Sequence, residues 1–316
     1  MTVSVSILAA GQGKRMRSEK PKVLHEIAGR PMVYHVLCAA SQVATHAPVL
    51  VVGHGAAEVR QALGAGWIYV EQVPQLGTGH ALLQCASALA GRADTVLVLY
   101  GDTPLVRPET LRHMLELHTE AGATVTVLTF TPPDVAGYGR IIRDAGGRVC
   151  GIVEEKAASD EQKLIREVNS GILCFRDDWV WPNLREIQCS DVGEYYLTDL
   201  IARAVSQGRE VAALPIEDPS EVMGVNDRID LAKATRVMWD RLNEKWMLAG
   251  VTVVDPDTTY LEVDVELGED TIVLPNTHVR GATRIGRRCV IGPNTVISAC
   301  QIGDNCRLEA TFAEGA

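Results

Sequence analysis

The C-terminal part of the sequence carries a six-residue period. From residue 267 an aliphatic side chain returns at every sixth position, with one residue deleted before the seventh member. The members are Leu267, Val273, Val279, Ile285, Ile291, Ile297, Ile302 and Leu308. Such a period is typical of hexapeptide coils that stack into a parallel β-helix. The next position, residue 314, holds Glu, so the sequence predicts a truncated helix of little more than two coils.

The first 230 residues alternate short β-branched runs with helical patterns. The predicted strands cover residues 3–10, 47–53, 67–72, 94–102, 123–130, 139–144, 169–175 and 209–216. The predicted helices cover residues 32–43, 56–63, 79–89, 108–121 and 194–207. This alternation indicates an α/β fold in which helices cover a mostly parallel, Rossmann-like sheet. Ligands of such sheets collect beyond the carboxyl ends of the strands.

A long helical pattern over residues 230–250 separates these two regions. We therefore predict three parts: a sheet domain over 1–229, a linker helix over 230–250 and the start of a β-helix over 251–316. At 316 residues, with 47% hydrophobic and 22% charged residues, the chain can bury two cores.

Composition excludes several kinds of partner. The longest apolar stretches, such as residues 95–100, are far shorter than the ~18 residues that a membrane helix needs. The N-terminus lacks the basic head and long apolar run of a signal peptide, so we expect a cytoplasmic protein. A net charge of −10 opposes binding to nucleic acid. The eight cysteines form no metal-binding spacing, and we expect them to be buried, reduced thiols.

A glycine loop follows the first predicted strand, in the segment LAAGQGKRMRSEKPK (8–22). Gly11 and Gly13 allow backbone amides to approach phosphate oxygens closely. Five cations lie within nine residues: Lys14, Arg15, Arg17, Lys20 and Lys22. The loop is neither a P-loop nor a dinucleotide fingerprint, whose last glycine is replaced by Met16. An ordinary β-turn with a solvated charged face is the alternative to an anion site.

Other polar residues lie at predicted strand ends. Asp102 ends an apolar strand, where a carboxylate suits Mg²⁺, although an Asp that opens a turn is the alternative. Gln72 also ends a strand, and its amide can both donate to and accept from a pyrimidine, unless it is a solvated loop residue. Asn226, taken alone, is a helix N-cap. Glu154, beside Glu155 and Lys156, reads as an exposed charged turn.

No histidine has the spacing of a general base. Four of them attract notice, and we interpret all four as structural: His25, His35, His54 and His80.

The motifs resemble a known family. L-A-A-G-x-G-x-R-M followed by K-P-K is similar to the fingerprint of sugar-phosphate nucleotidyltransferases. The wider match, over essentially the whole chain, is to the bacterial bifunctional N-acetylglucosamine-1-phosphate uridyltransferase/glucosamine-1-phosphate acetyltransferases. It rests on EQVPQLGTGHA (71–81), LYGDTPL (99–105), GYGRI (137–141), GIVEEK (151–156), NSGI (169–172), GEYYLTD (193–199) and GVNDR (224–228). Many related nucleotidyltransferases carry Thr where this loop has Lys14.

The resemblance implies uridylyl transfer from UTP to N-acetylglucosamine 1-phosphate, giving UDP-N-acetylglucosamine and pyrophosphate for peptidoglycan and lipopolysaccharide precursors. It implies Mg²⁺ as cofactor and a left-handed β-helix. In this family the acetyl-CoA site lies further along a longer helix, between the subunits of a homotrimer. We therefore expect no acetyl transfer from this chain and a trimer that is weakened or lost.

The resemblance also assigns roles to residues. The residues implied to bind substrate are Leu8, Ala9, Ala10, Gly11, Lys22, Gln72, Gly77, Thr78, Tyr100, Gly101, Asp102, Gly139, Glu154, Asn169 and Asn226. Among them, Gln72 and Gly77 would contact the uracil, and Gly139, Glu154 and Asn169 the sugar. Arg15, Lys22 and Asp102 would be catalytic, with Asp102 and Asn226 as ligands of Mg²⁺. Three alternatives stay open: another sugar or base, a non-catalytic nucleotide-sugar sensor, and a purely structural hexapeptide assembly.

Overall fold

The computed structural model describes residues 1–191 and 193–316, without the side chain of Lys156. The chain forms two compact units. The first comprises residues 1–24 and 32–227, and the second comprises residues 25–31 and 228–316. The sequence does not predict that residues 25–31 group with the C-terminal unit, since they lie within the first predicted domain.

The helices and strands up to the end of the long helix have the following bounds. The strands are β1 (Val3–Leu8), β2 (Glu26–Ile27), β3 (Arg30–Pro31), β4 (Val49–Val52), β5 (Ile68–Glu71), β6 (Thr95–Tyr100), β7 (Val125–Phe130), β8 (Arg140–Arg143), β9 (Val149–Val153), β10 (Val168–Arg176) and β11 (Val211–Pro215). The helices are α1 (Met32–Ser41), α2 (Ala56–Leu63), α3 (Thr78–Gln84), α4 (Ala86–Leu89), α5 (Pro108–Glu120), α6 (Asp160–Lys163), α7 (Asp177–Leu184), α8 (Asp199–Ser206) and α9 (Arg228–Leu248).

The first unit is built on one large sheet with the order β11-β7-β10-β6-β1-β4-β5, which β8 and β9 extend through β10. Strand β1 pairs in parallel with β4 and β6, and β11 pairs in parallel with β7. Strand β10 runs antiparallel to both β6 and β7. Every residue of β1 and of β7 is buried, because helices cover both faces of the sheet. The mostly parallel, Rossmann-like sheet predicted from the sequence is confirmed.

Five details of the first unit differ from the prediction. The sequence did not predict strand β9 or helices α6 and α7, and Pro182 inside α7 is a poor helix residue. The helix predicted over 79–89 breaks at Cys85 into α3 and α4. The helix predicted over 194–207 begins only at Asp199. Its first residues are instead held in an extended pairing, in which the Tyr195 amide donates to the Leu76 carbonyl at 2.9 Å.

The second unit contains α9, β2, β3 and three stacks of short parallel strands. These strands are β12 (Thr252–Val253), β13 (Thr259–Leu261), β14 (Glu266–Leu267), β15 (Ile272–Val273), β16 (Thr277–Arg280), β17 (Arg284–Ile285), β18 (Val290–Ile291), β19 (Thr295–Ser298), β20 (Gln301–Ile302), β21 (Arg307–Leu308) and β22 (Phe312–Glu314). The stacks are β12-β15-β18-β21, β13-β16-β19-β22 and β14-β17-β20. Inward columns such as Val273–Ile291–Leu308 join successive coils. The hexapeptide β-helix is confirmed.

The expectation of little more than two coils is wrong. Strands β12–β14, β15–β17 and β18–β20 form three complete coils, and β21 and β22 belong to a fourth. The six-residue period does not reveal the first coil, because its inward residues Val253 and Leu261 are eight residues apart. The last coil shifts the repeat, since Ala313 pairs with Ile297 and Glu314 is exposed. The inward position is therefore 313 and not 314.

All eight cysteines are free thiols, and only some are buried. Cys85, Cys174, Cys289 and Cys300 are buried, and burial raises the pKa of Cys85 to about 12. The expectation of burial is wrong for Cys38, Cys150, Cys189 and Cys306, which are partly or fully exposed. Among the described residues, we find no helix with the length and apolar character needed to cross a membrane.

Candidate active site

A cleft of about 370 Å³ opens at the carboxyl ends of the parallel strands of the first unit. Its walls come from the loops after β1, β5 and β6 and from the start of α3. The lining residues are Leu8, Ala9, Ala10, Gly11, Gln12, Gly13, Lys22, Val23, Gln72, Gln75, Gly77, Thr78, Ala81, Tyr100, Asp102 and Glu194. The glycine loop, the end of β5 and the Tyr-Gly-Asp turn therefore share one cleft.

The glycine loop depends on Gly13. This residue has φ +62°, in the left-handed region, and begins the short 3-10 helix Lys14–Met16. A Cβ at position 13 would lie 2.5 Å from the Cβ of Lys22, so any other residue would push Lys22 away. The loop holds Lys22 against the cleft for this steric reason.

Lys22 lies at the centre of a group of charged and polar side chains. Its Nζ is 2.5 Å from Oδ2 of Asp102 and donates to Oδ1 of Asn226 at 3.2 Å. Arg15 donates from Nη2 to the same Asn226 oxygen at 2.8 Å. The backbone joins the two acceptors, because the Val225 amide donates to the Asp102 carbonyl at 2.8 Å. The structure thus brings together the three predicted catalytic residues and both predicted metal ligands.

This group fits a divalent cation. Asp102 and Asn226 direct one carboxylate and one amide oxygen at the same ammonium group, so both oxygens already face a single positive charge. Mg²⁺ is a hard cation that takes oxygen ligands and is usually held by one or two protein groups plus substrate phosphates. The donor set and its convergence both match that preference.

The opposite wall of the cleft is formed by Gln72 and the turn before α3. Gln72 is 3% exposed, and its Nε2 donates to the Gly77 carbonyl at 3.0 Å and lies 3.1 Å from Nδ1 of His80. Gly77 has φ +91°, and a Cβ there would lie 2.7 Å from the Tyr195 carbonyl oxygen. Thr78 Oγ1 accepts from the Leu197 amide at 3.0 Å. These contacts hold this wall of the cleft in place.

Tyr100 lines the cleft, and the buried Gly101 follows it at the end of β6. The Gly101 amide donates to the Leu8 carbonyl at 2.9 Å, which joins the ends of β1 and β6. Burial, and then the negative charge of Asp102, raise the pKa of Tyr100 well above its usual range. Tyr100 therefore keeps its proton and acts as a neutral surface of the cleft.

A second polar group lies where β8, β9 and β10 meet. Because β10 is antiparallel, its first residues lie at the same edge of the sheet as the last residues of β7. At this end of β10 the backbone N–H of Asn169 donates to the Gly139 carbonyl at 2.8 Å. A Cβ on Gly139 would lie 3.4 Å from Oε1 of Glu154, so the three residues are neighbours.

Glu154 has an unusual environment for a carboxylate. It accepts from Thr198 Oγ1 at 3.3 Å. Burial of its carboxyl end, and then the nearby charge of Asp199, raise its pKa. Gly139, Glu154 and Asn169 do not line the 370 Å³ cleft, but Glu154 also acts on the pKa of Tyr100. The group therefore borders the cleft beyond Tyr100.

Sequence reasoning missed several residues at these positions. Gln12, Gln75 and Glu194 line the cleft, and Thr198 contacts Glu154. Thr198 and Glu194 lie inside the quoted E-Y-Y-L-T-D motif, so the motif pointed to them. Their placement was not predicted, because the sequence assigned both residues to a helix. His80 contacts Gln72, whereas the other three noted histidines do not line the cleft.

Both the chain and its fold are similar to known proteins. The MobA-like NTP transferase domain family matches residues 5–157, and the bacterial transferase hexapeptide family (six repeats) matches residues 264–299. The fold is similar to a UDP-glucose pyrophosphorylase complexed with UDP-glucose, with a TM-score of 0.63, 17% identity and coverage of 76% of this chain and 100% of that one. A glucose-1-phosphate thymidylyltransferase from Bacillus anthracis gives a TM-score of 0.62, 21% identity and coverage of 75% and 95%.

Sequence relatives are far more similar. The bifunctional protein GlmU of Pelobacter propionicus is 48% identical over 98% of this chain and 68% of its own length. That of Heliobacterium modesticaldum is 46% identical over 95% of this chain and 66% of its length. The chain thus spans about two thirds of the length of these relatives. It belongs to the bifunctional GlmU family, the uridyltransferase/acetyltransferase family that its motifs resemble, and it is an enzyme of the sugar-phosphate uridyltransferase class.

Proposed function

We propose that this chain transfers a uridylyl group from UTP to N-acetylglucosamine 1-phosphate, giving UDP-N-acetylglucosamine and pyrophosphate. The observation that carries the proposal is the convergence of Lys22, Arg15, Asp102 and Asn226 at one end of a cleft whose other wall holds a buried amide. Cations and metal ligands suit a triphosphate, and an oriented amide suits a pyrimidine.

The reaction needs no protein nucleophile. A phosphate oxygen of the sugar 1-phosphate attacks the α-phosphorus of UTP, the bond to the β-phosphate oxygen breaks, and pyrophosphate leaves in line. A phosphate monoester is largely dianionic at neutral pH, so the protein contributes alignment and charge stabilisation. Lys22 acts as a point charge and Arg15 as a planar fork with several donors, and both bind phosphate oxygens.

Mg²⁺ is the proposed cation for Asp102 and Asn226, and when bound it supplies positive charge that stabilises the phosphate oxygens. The residues do the rest of the positioning. Asp102 is fixed by the Val225 amide on its own carbonyl, at 2.8 Å, so it cannot move independently of the Asn226 segment. Once the nucleotide is bound, the Lys22 ammonium exchanges its contact with Asp102 for a contact with phosphate.

The sugar is proposed to bind where β8, β9 and β10 meet. An N-acetyl group and ring hydroxyls each need oriented donors and acceptors, which a carboxylate, an amide and a backbone carbonyl provide. Glu154 offers carboxylate oxygens, Asn169 an amide, and Gly139 a close backbone approach without a side chain. The raised pKa of Glu154 reflects a partly desolvated group that a sugar hydroxyl can stabilise.

Two competing functions make different predictions. Another sugar 1-phosphate or another base would keep the phosphate end and change the partners of Gln72 or Glu154. A non-catalytic nucleotide-sugar sensor would bind without turnover, but a sensor does not need Lys22, Asp102 and Asn226 to converge. We therefore favour catalysis.

Acetyl transfer is proposed to be absent from these 316 residues taken alone. The resemblance locates the acetyl-CoA site further along a longer helix, and the relatives extend beyond the part matched here. The same additional coils make most of the family's trimer contact, so we expect a weak trimer or none. We also propose a cytoplasmic location, where UTP and sugar phosphates are available.

The test is a pyrophosphate-release assay with Mg²⁺. The protein is incubated with UTP and a panel of sugar 1-phosphates, and then with N-acetylglucosamine 1-phosphate and each nucleoside triphosphate. We expect the fastest release with UTP and N-acetylglucosamine 1-phosphate, together with UDP-N-acetylglucosamine in the product. Tight binding of UTP without pyrophosphate release would support the sensor instead.

A further inference from the structure

The buried amide of Gln72 has an orientation that its neighbours impose. A backbone carbonyl can only accept, so the nitrogen of the Gln72 amide, and not its oxygen, must face the Gly77 carbonyl at 3.0 Å. The second hydrogen of the same nitrogen points to Nδ1 of His80 at 3.1 Å. Both amide hydrogens are then used inside the protein. Oε1 is left with no hydrogen-bond partner among the described residues, on a side chain that lines the cleft.

His80 is itself held from its other side. Gln84 lies one turn further along α3, and its Nε2 is 3.0 Å from Nε2 of His80 and 3.2 Å from the His80 carbonyl. Two amides therefore face the two ring nitrogens. A neutral imidazole accepts at one nitrogen and donates at the other, so one amide must present its oxygen.

The partner that turns is Gln84. Turning Gln84 gives up the contact of its nitrogen with the His80 carbonyl, but Gln84 is only half-buried, so water can take the place of that contact. Gln72 is 3% exposed, so turning it would leave its nitrogen and the Gly77 carbonyl without that replacement. The consistent arrangement has Nδ1 of His80 accepting from Gln72 and Nε2–H donating to Oε1 of Gln84. In this arrangement Gln84 and His80 form a relay that ends at Gln72.

We propose that His80 is a positioning residue for base selection, which holds Oε1 of Gln72 as an acceptor for the N3–H group of the pyrimidine. This inference rests on the proposed binding of the UTP base beside Gln72. Uracil and thymine carry a hydrogen on N3, whereas N3 of cytosine is an unprotonated acceptor. Cytosine would therefore place two acceptors against each other in a buried pocket, and a site built for a donor rejects a ligand that lacks it.

The test compares kcat/KM for UTP with kcat/KM for CTP in matched variants. His80→Phe removes the acceptor at nearly constant shape, and we expect the UTP:CTP ratio to fall about tenfold, the value of one hydrogen bond to a buried group. His80→Gln keeps an acceptor and should retain most of the ratio. His113→Phe, an exposed histidine on α5, is the control and should leave the ratio unchanged.

The outcomes separate this inference from the proposed function. If kcat/KM of the wild-type protein is as high for CTP as for UTP, the proposed function is wrong. If the wild type prefers UTP, and Gln72→Ala lowers that preference while His80→Phe does not, only the role of His80 is overturned. An unchanged ratio in Gln72→Ala would overturn the inference as a whole, because the base would then be selected elsewhere.

A second measurement observes His80 in the wild-type protein directly. In wild-type protein labelled with ¹⁵N-histidine, NMR reports which ring nitrogen of His80 carries the proton, with His80→Gln used for assignment. We expect Nε2–H and an unprotonated Nδ1, both with and without UTP. A proton on Nδ1 would contradict the proposal, because Nδ1 could not then accept from Gln72.

Discussion

The two units use charge in opposite ways. In the first unit, Lys22 and Asp102 form an ion pair 2.5 Å long whose side chains are only 13% and 24% exposed. In the second unit, Arg284 and Glu266 form a pair 3.1 Å long whose side chains are 64% and 61% exposed. An exposed pair of this kind contributes roughly 0–1 kcal/mol. A half-desolvated pair beside a cleft is instead available for chemistry.

The same contrast holds for apolar side chains. The second unit is stabilised by inward columns such as Val273–Ile291–Leu308, which repeat from coil to coil. The first unit buries its strands in the middle of the sheet and collects polar residues at one edge. Substitutions in the first unit's cleft should therefore change chemistry, and substitutions in the second unit's columns should change stability.

The largest effect is expected for Asp102→Asn. The change removes the negative charge from a proposed metal ligand while keeping its shape, so turnover should fall about 10³-fold with little loss of stability. Pyrophosphate release across a range of Mg²⁺ concentrations measures it. The control is Asp160→Asn, whose carboxylate is exposed on α6. Near-wild-type activity of Asp102→Asn at limiting Mg²⁺ would show that Asp102 is not the ligand.

The second prediction concerns a substitution in the core of the second unit. Ile291 is 0% exposed in the β-helix, so Ile291→Ala should lower the free energy of unfolding of the second unit by about 2–5 kcal/mol. Uridylyl transfer at 25 °C should stay unchanged, because every proposed cleft residue lies in the first unit. Calorimetry and pyrophosphate release report the two quantities. Phe312→Ala, at a side chain that is 72% exposed, is the control. A large loss of activity in Ile291→Ala would remove the contrast between the units.

Lys22→Ala tests whether the cationic loop acts through one residue. Loss of a charged contact to the triphosphate should weaken the use of UTP by about 10–100-fold, equivalent to roughly 1–3 kcal/mol. Lys20→Ala should have a smaller effect, since Lys20 does not line the cleft. Steady-state kinetics at varied UTP measures both. Equal losses at the two lysines would mean that the loop acts through its total charge.

The smallest effect concerns pH. Because the pKa of Glu154 is raised in the folded state, its contribution to stability is present below its usual value of about 4.3 and is lost as pH rises through the folded pKa. Glu154→Gln resembles the protonated acid, so the variant should gain stability relative to wild type between acid and neutral pH, by less than ~1 kcal/mol. Urea unfolding at several pH values measures the difference, with the exposed Glu161→Gln as control. A difference that does not change with pH would contradict the assignment.

The strands and the β-helix could be predicted from the sequence because both depend on patterns of apolar residues that lie close together in the chain. The sequence also predicted that Asp102 and Gln72 lie in one cleft, since the carboxyl ends of parallel strands lie at the same edge of the sheet. It could not predict that residues 194–198 lie outside the helix, because the pairing of Tyr195 with Leu76 joins segments far apart in the sequence. For the same reason it left His80 without a role, since its partner Gln72 lies on another element.

The first coil and the proposed sugar site show the same limit of sequence-based prediction. Val253 and Leu261 break the six-residue period and still stack in register, because strand pairing tolerates a longer corner between strands. Glu154 is exposed, as the sequence indicates, but only the antiparallel pairing of β8 with β9 and with β10 explains why it lies near Gly139 and Asn169. Local patterns predict elements well, but they do not predict contacts between distant elements.

The most direct measurement assays both family activities in one sample of this protein. One aliquot receives UTP, Mg²⁺ and N-acetylglucosamine 1-phosphate and is followed for pyrophosphate. The other receives acetyl-CoA and glucosamine 1-phosphate and is followed for free thiol. The account predicts pyrophosphate release that depends on Asp102 and no thiol release above background. Thiol release from this protein, or the absence of pyrophosphate release, would contradict the claim that its chemistry resides in the cleft of the first unit.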